Sequence, residues 1–333
     1  MPVELPESVQ FLHKIELGLG AWAWGDRLVW NYGRGYTDED IEAGFKVALE
    51  YGASLVDTAE IYGNGRSERL LGQFIKNADL PVYVATKFFP MPWRWTSGSV
   101  LGALRTSLER LGLEHVDLYQ IHWPSPIVPI ETYAEGLASA QQLGLARAVG
   151  VSNFDKNQMQ RAHTVLAKYN IPLASNQVEY HLLDRTIEKN GLLARCHELG
   201  VRVIAYSPLA MGLLTGKFSL ESPPTGIRAG KYMGVLRNIQ PATGVPKTAS
   251  GGRYAGMLAS IQPLLRLMNE IGQEHGSKSA AQVALNWCIC KGTLPIPGAK
   301  NYQQAAMNVG AAGWRLTPEQ VQALDEASDK ITK

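Results

Sequence analysis

Cysteine is scarce in this chain. Three occur among 333 residues, Cys196, Cys288 and Cys290. So sparse and odd a set builds no disulfide framework and fits a reducing compartment. Cys288 and Cys290 sit in the apolar stretch ALNWCICKG, without the spacing of zinc ligands. They read as core thiols, and no metal site is expected. An excess of either charge is also missing, because 32 Lys and Arg against 30 Asp and Glu leave a formal net charge of +2. Nucleic-acid surfaces ordinarily need a strong basic excess, so no nucleic-acid partner is expected. Apolar runs long enough to span a bilayer as a helix are absent, so no membrane partner is expected either. The opening MPVELPESVQ has no apolar core of the kind a secretory signal carries. These absences together predict a cytoplasmic protein, monomeric by default. No break in composition divides the chain, so a single domain over residues 1–333 is expected.

What the chain does have is a regular alternation of strand and helix patterns. TDEDIEAGFKVALEYGA opens on a Thr/Asp cap with an acidic first turn, and its apolar residues Ile41, Phe45, Ala48 and Leu49 recur at helical spacing. SLVDT, PVYVATK, VDLYQIH, ARAVGVS, LASNQVEY and VRVIAYS read as strands, each followed by a helical or loop segment. With KIELGLG before them and TLPIPG after them, the count is eight. Strands alternating with helices imply parallel pairing and right-handed crossovers. Eight such units in a chain of this length match a (β/α)8 TIM barrel with a C-terminal helix, TPEQVQALDEAS. An open doubly wound sheet is the alternative, and it ordinarily shows a second domain. One long segment, residues 207–254, lacks periodicity and is rich in Gly, Pro and basic residues. It reads as a loop insertion after strand 7 that presents positive charge to a ligand's phosphates. GLGAWA, at residues 18–23, satisfies a dinucleotide fingerprint when taken alone. The helix that fingerprint requires does not follow, so the glycines read as a tight βα loop near the active face.

Titratable residues stand where the strand patterns stop. Asp57 ends SLVD, Lys87 ends VYVATK, His122 ends DLYQIH, and Tyr62 follows Asp57 by five residues. Each has an ordinary reading alone: a helix cap, a solvated lysine, a core histidine, a loop anchor. Together they sit at the strand ends where barrel active sites lie. A phenol beside an ammonium makes a proton donor, because the ammonium stabilises the phenolate and draws the pKa down. A carboxylate holds the ammonium in place, and an imidazole orients a carbonyl. Tryptophans gather in the loops at this face: Trp22, Trp24, Trp30, Trp93, Trp95 and Trp123. Such a rim suits apolar or aromatic carbonyl substrates, with Trp24, Trp93 and Trp123 as candidate walls.

Seven segments in order, DTAEIYGNGRSERLLG, ATK, DLYQIHWP, AVGVSN, NQVEYHLL, AYSPLAMGLLTGK and PIPGAKN, resemble the aldo-keto reductases over nearly the whole chain. The resemblance implies the same barrel, an NADPH/NADP cofactor, and small-molecule aldehydes and ketones as substrates. It implies a catalytic tetrad at Asp57, Tyr62, Lys87 and His122. Ser152, Asn153 and Gln177 would hold the nicotinamide carboxamide, with Tyr206 stacked on its ring. Ser207, Leu209, Gly212 and Lys217 would line the pyrophosphate path, and Arg228 would add a phosphate contact. Gly298, Lys300, Asn301, Gln304 and Asn308 would grip the adenosine end, and Gly20, Ala21 and Trp22 of the first βα loop would also meet the cofactor. This chain departs from many members at Gln304, where they carry arginine, and at Met307, where they carry an acid. Two rivals stay open: a Schiff-base lyase using Lys87, and a nucleotide-sensing regulatory subunit with vestigial catalysis.

Overall fold

The computed structural model describes residues 6–219 and 252–331, with side chains from residue 258 onward in the second stretch. Eight strands form one parallel sheet in sequence order. They are β1 Leu19–Gly20, β2 Leu55–Asp57, β3 Tyr83–Phe88, β4 Val116–Ile121, β5 Ala146–Ser152, β6 Leu173–Glu179, β7 Arg202–Tyr206 and β8 Leu294–Pro295. The sheet closes on itself. Gly18 and Gly20 donate backbone hydrogen bonds to Pro295 and Pro297, both at 3.0 Å, and Gly20 bridges Gly298 in parallel. Glycine is needed at this seam, because a Cβ on Gly20 would stand 2.8 Å from the Ile296 carbonyl oxygen.

Twelve helices are described, and several of them start on a polar cap. These are α1 Glu7–Lys14, α2 Asp38–Glu50, α3 Arg66–Lys76, α4 Ser97–Leu111, α5 Ile130–Gln142 and α6 Lys156–Ala167. Then follow α7 Thr186–Lys189, α8 Leu192–Glu198, α9 Gly252–Glu274, α10 Ala280–Cys290, α11 Tyr302–Val309 and α12 Pro318–Asp329. Thr37, Asp155, Ser279 and Thr317 each close a reciprocal capping box, on α2, α6, α10 and α12. Gly112 ends α4 in the left-handed conformation, with φ 66°.

Two apolar layers result. The larger lies between the barrel wall and the helices. The smaller fills the barrel where the strands begin, with Leu55, Ala85, Leu118, Ala148, Ile204, Leu294 and Ile296 closing on Val9, Phe11, Leu12 and Ile15. The last four belong to or follow α1, which plugs this mouth and was not foreseen. KIELGLG accordingly supplies only a two-residue strand. The expected loop of residues 207–254 is corrected at both ends: Ala210–Thr215 forms a short 3-10 turn, and α9 begins at Gly252. Its middle, residues 220–251, lies outside the described residues, and Arg228 with it. Among the described residues no helix is long and apolar enough to cross a membrane.

Candidate active site

β2 and β3 are paired so that Asp57 lies opposite Ala85, and Lys87 stands further along β3. Their side chains meet inside the barrel. Lys87 Nζ donates to Asp57 Oδ1 and, at 2.8 Å, to the Thr58 carbonyl oxygen. Both side chains are buried. The second oxygen of Asp57 accepts from Gln177 Nε2 at 2.8 Å and from Gln120 Nε2 at 3.3 Å. The carboxylate therefore has a donor on each oxygen, which a buried charge needs in order to persist. Burial pushes the Lys87 ammonium below its ordinary pKa, and Asp57 and then Glu68 act against that.

Tyr62 opens the 3-10 turn Tyr62–Gly65 that follows β2. The Lys87 ammonium lies 5.0 Å from the Tyr62 ring centroid. The His122 imidazole meets the same ring edge-on, with centroids 5.7 Å apart and planes at 82°. The tetrad expected from the strand ends is thus one cluster. Its electrostatics differ from expectation in one respect. The Tyr62 phenol is pushed well above its ordinary pKa, first by burial and then by the Asp57 carboxylate. The lowering expected from Lys87 is corrected: burial and the Asp57 carboxylate raise the phenol instead. His122 is drawn down to about 3 by burial and by the Lys87 charge, so its ring is neutral at physiological pH. Its Nδ1 is buried and has no hydrogen-bond partner among the described residues.

The ends of β5, β6 and β7 join this cluster. Asn153 donates from Nδ2 to the His122 carbonyl oxygen at 3.0 Å and accepts at Oδ1 from the Tyr206 hydroxyl at 3.0 Å. Ser152 Oγ donates to the Gln177 carbonyl oxygen at 2.8 Å. Past β7 the backbone turns left-handed at Ser207, Ala210, Met211 and Gly212, with φ of 50°, 48°, 54° and 100°. Such residues build backbone concavities that receive anions. Leu209 lies within this turn, and Lys217 after it rests on the Phe218 ring.

The first and last βα loops carry the remaining candidates. Ala21 donates its backbone N–H to the Asp57 carbonyl oxygen at 2.8 Å. Trp22 stands between Trp30 and Tyr62, with centroids 5.4 and 6.5 Å away. Lys300 Nζ lies 4.5 Å from the Trp30 ring centroid and 5.1 Å from that of Tyr36. Asn301 caps α11 by accepting from Gln304 N, and Gln304 Oε1 accepts from Lys300 N, both at 3.0 Å. Asn308 donates to the Gly298 carbonyl oxygen at 3.3 Å, while its buried Oδ1 has no partner among the described residues.

Of the candidate walls, Trp93 and Trp123 are 72% and 45% exposed. Trp24 is a correction. It is wholly buried, packed edge-on to Phe45 and Phe74, with Nε1 donating to the Ala299 carbonyl oxygen at 3.1 Å. It is tied to the closing seam and has no exposed surface to offer as a wall. Sequence reasoning missed Phe89, which meets the His122 ring edge-on at 5.6 Å, and Glu60, which is buried next to it. Glu60 was in view between Asp57 and Tyr62, but its partners lie a strand away.

Residues 16–329 match the model of the aldo/keto reductase family. Pyridoxal reductase, chloroplastic, from Arabidopsis thaliana is 40% identical over 330 residues, covering 95% of this chain and 84% of that protein. L-glyceraldehyde 3-phosphate reductase from Escherichia coli K12 is 32% identical over 310 residues, covering 89% and 83%. The aldo/keto reductase of Klebsiella pneumoniae, solved in complex with NADP and acetate, superposes with a TM-score of 0.67 at 26% identity, covering 93% of this chain and 90% of that one.

Proposed function

The chain belongs to the aldo/keto reductase family, and from that premise we propose that it reduces small aldehydes or ketones with NADPH, Tyr62 giving the proton. The observation that carries this reading is the buried Lys87–Asp57 pair beneath the Tyr62 ring, beside a neutral His122 with an unpartnered nitrogen.

The residues present fit a dinucleotide. Two buried polar atoms lack partners among the described residues: His122 Nδ1 in the tetrad, and Asn308 Oδ1 in the group assigned to the adenosine end. Asn153 and Tyr206 beside His122 would hold the nicotinamide end. The left-handed turn after β7 would take the phosphates, and Lys300, Asn301 and Asn308 the adenosine end. NADPH, when bound, supplies the hydride.

The chain's own residues manage the oxygen. A raised pKa keeps the proton on Tyr62 at neutral pH. An alkoxide is a far stronger base than a phenolate, so the proton moves as charge builds on the carbonyl oxygen. The Lys87 ammonium faces the ring that then becomes phenolate, and Asp57 keeps that ammonium charged and fixed. His122, neutral, offers one N–H donor to the same oxygen. These groups are held in place before reaction, so little reorganisation is needed.

Tyr62→Phe tests the reading. The ring stays and the proton goes, so kcat/KM for an aldehyde falls ~100-fold or more, while NADPH titration gives the wild-type Kd. Unchanged turnover removes Tyr62 as the acid. A monomer in the cytoplasm is part of the same proposal. The Arabidopsis relative is named chloroplastic, and imaging of the full-length chain decides the compartment.

A further inference from the structure

The relatives named above differ in one chemical respect: one takes its name from an aldehyde without a phosphate, the other from a phosphorylated aldehyde. A free cation near the carbonyl site favours a phosphate-bearing substrate. On the β3 loop that cation is Arg94, and it is taken.

Glu60 binds it at both nitrogens: Nη1 donates to Oε1, and Nη2 to Oε2 at 3.0 Å. Arg94 Nη1 also donates to the Phe89 carbonyl oxygen at 3.0 Å. Glu60 Oε1 accepts the Phe89 N–H at 2.6 Å, and Phe89 is the residue whose ring meets His122. Tyr133 fixes the Arg94 backbone through a 2.6 Å bond to its carbonyl oxygen. The Glu60 side chain is 7% exposed and that of Arg94 24%. The carboxylate is thus sealed beneath the guanidinium, whose side chain is still partly open to solvent.

We propose that Glu60 sets the substrate's charge: by neutralising Arg94 at the wall next to His122, it selects uncharged aldehydes over phosphorylated ones. The inference rests on the carbonyl-reductase reading. It assigns Glu60 as a specificity residue that acts through Arg94 and does not touch the reacting atoms. Phe89 beside His122, with the candidate walls Trp93 and Trp123, would favour a planar, uncharged aldehyde.

Pyridoxal and pyridoxal 5′-phosphate form a matched pair of probes, since one phosphate separates them. The readout is the ratio of their kcat/KM values with NADPH, phosphorylated over unphosphorylated. The unsubstituted protein should prefer pyridoxal. Glu60→Gln keeps the shape and frees the guanidinium's charge, so the ratio should rise about tenfold, the scale of one charge-assisted hydrogen bond. Arg94→Gln leaves a bare carboxylate in place, so the ratio should fall. The double substitution should return it close to the starting value. A general loosening of the loop would move both single variants in the same direction. That result, or an unchanged ratio in both, or a wild-type preference for the phosphorylated form, overturns the proposal while leaving the reductase reading intact. If the unsubstituted protein turns over neither aldehyde nor any other carbonyl, the reductase reading falls and takes this one with it.

Discussion

Where the strands begin, Leu55, Ala85 and Leu118 point into the barrel and close on α1. Two residues further along the same strands, Asp57, Lys87 and Gln120 point into it and close on one another. The backbone is the same, and the alternation of a strand puts both sets on one face. The forces differ in kind. The first mouth is held by apolar burial shared among many side chains, any one of which contributes a part. The second is held by a few hydrogen bonds to charge, each made by a named atom. A distributed seal tolerates change in degree. An ion pair without water fails when either partner leaves.

The comparison breaks most sharply at Lys87. In Lys87→Met the Asp57 carboxylate keeps only amide donors from Gln120 and Gln177. Stability in urea unfolding should drop by about 3–5 kcal/mol, and reduction of an aldehyde should fall ~100-fold or more in the molecules that still fold. A loss of activity with no loss of stability would mean that the pair is not sealed from solvent. Leu12→Ala probes the opposite mouth. Leu12 is wholly buried in the plug, so stability should fall by about 2–5 kcal/mol while kcat/KM per folded molecule is unchanged at moderate temperature. Lost turnover at full folding would show that the two mouths are coupled.

The smallest effect expected is on the pH profile. His122 titrates at about 3 in the fold, against ~6.5 for a free histidine. The unfolded chain therefore takes up a proton as pH falls through 6.5, and the folded chain does not until near 3. Stability contributed by this group is complete above the unfolded value and declines as pH falls across that window. kcat/KM should accordingly show no inflection near 6.5. An acid limb there, lost in His122→Gln, would mean that the imidazole is wetter than its packing against Tyr62 and Phe89 implies.

Much of this was readable in the sequence because period and caps are local. The polar caps before α2, α6, α10 and α12 announce those helices, and apolar runs ending in polar residues announce β2 to β4. α1 escaped because it is eight residues long and enters from Pro6 without a side-chain cap. Trp24 was assigned to the rim because its neighbours are loop residues. Only the fold shows its indole turned inward to Ala299, 275 positions away. Gln177 was assigned to a cofactor contact by resemblance, and the structure adds a bond to Asp57 across 120 positions. The sign of the Tyr62 shift was misjudged for a related reason. Proximity of an ammonium is legible in the sequence, but the burial of the phenol and the reach of the Asp57 charge are not.

The seam at Gly20 has a consequence for how the chain is made. Its partners Pro295, Pro297 and Gly298 are synthesised long after it, as is Ala299, 275 positions beyond Trp24. Loops of that length close at a large entropic cost and late. During translation the first seven strands must therefore wait with both edges of their sheet unpaired, a state open to wrong pairing with other chains. The segment that closes the seam runs on into Lys300, Asn301 and Asn308, so the ring is sealed only as the residues assigned to the adenosine end arrive.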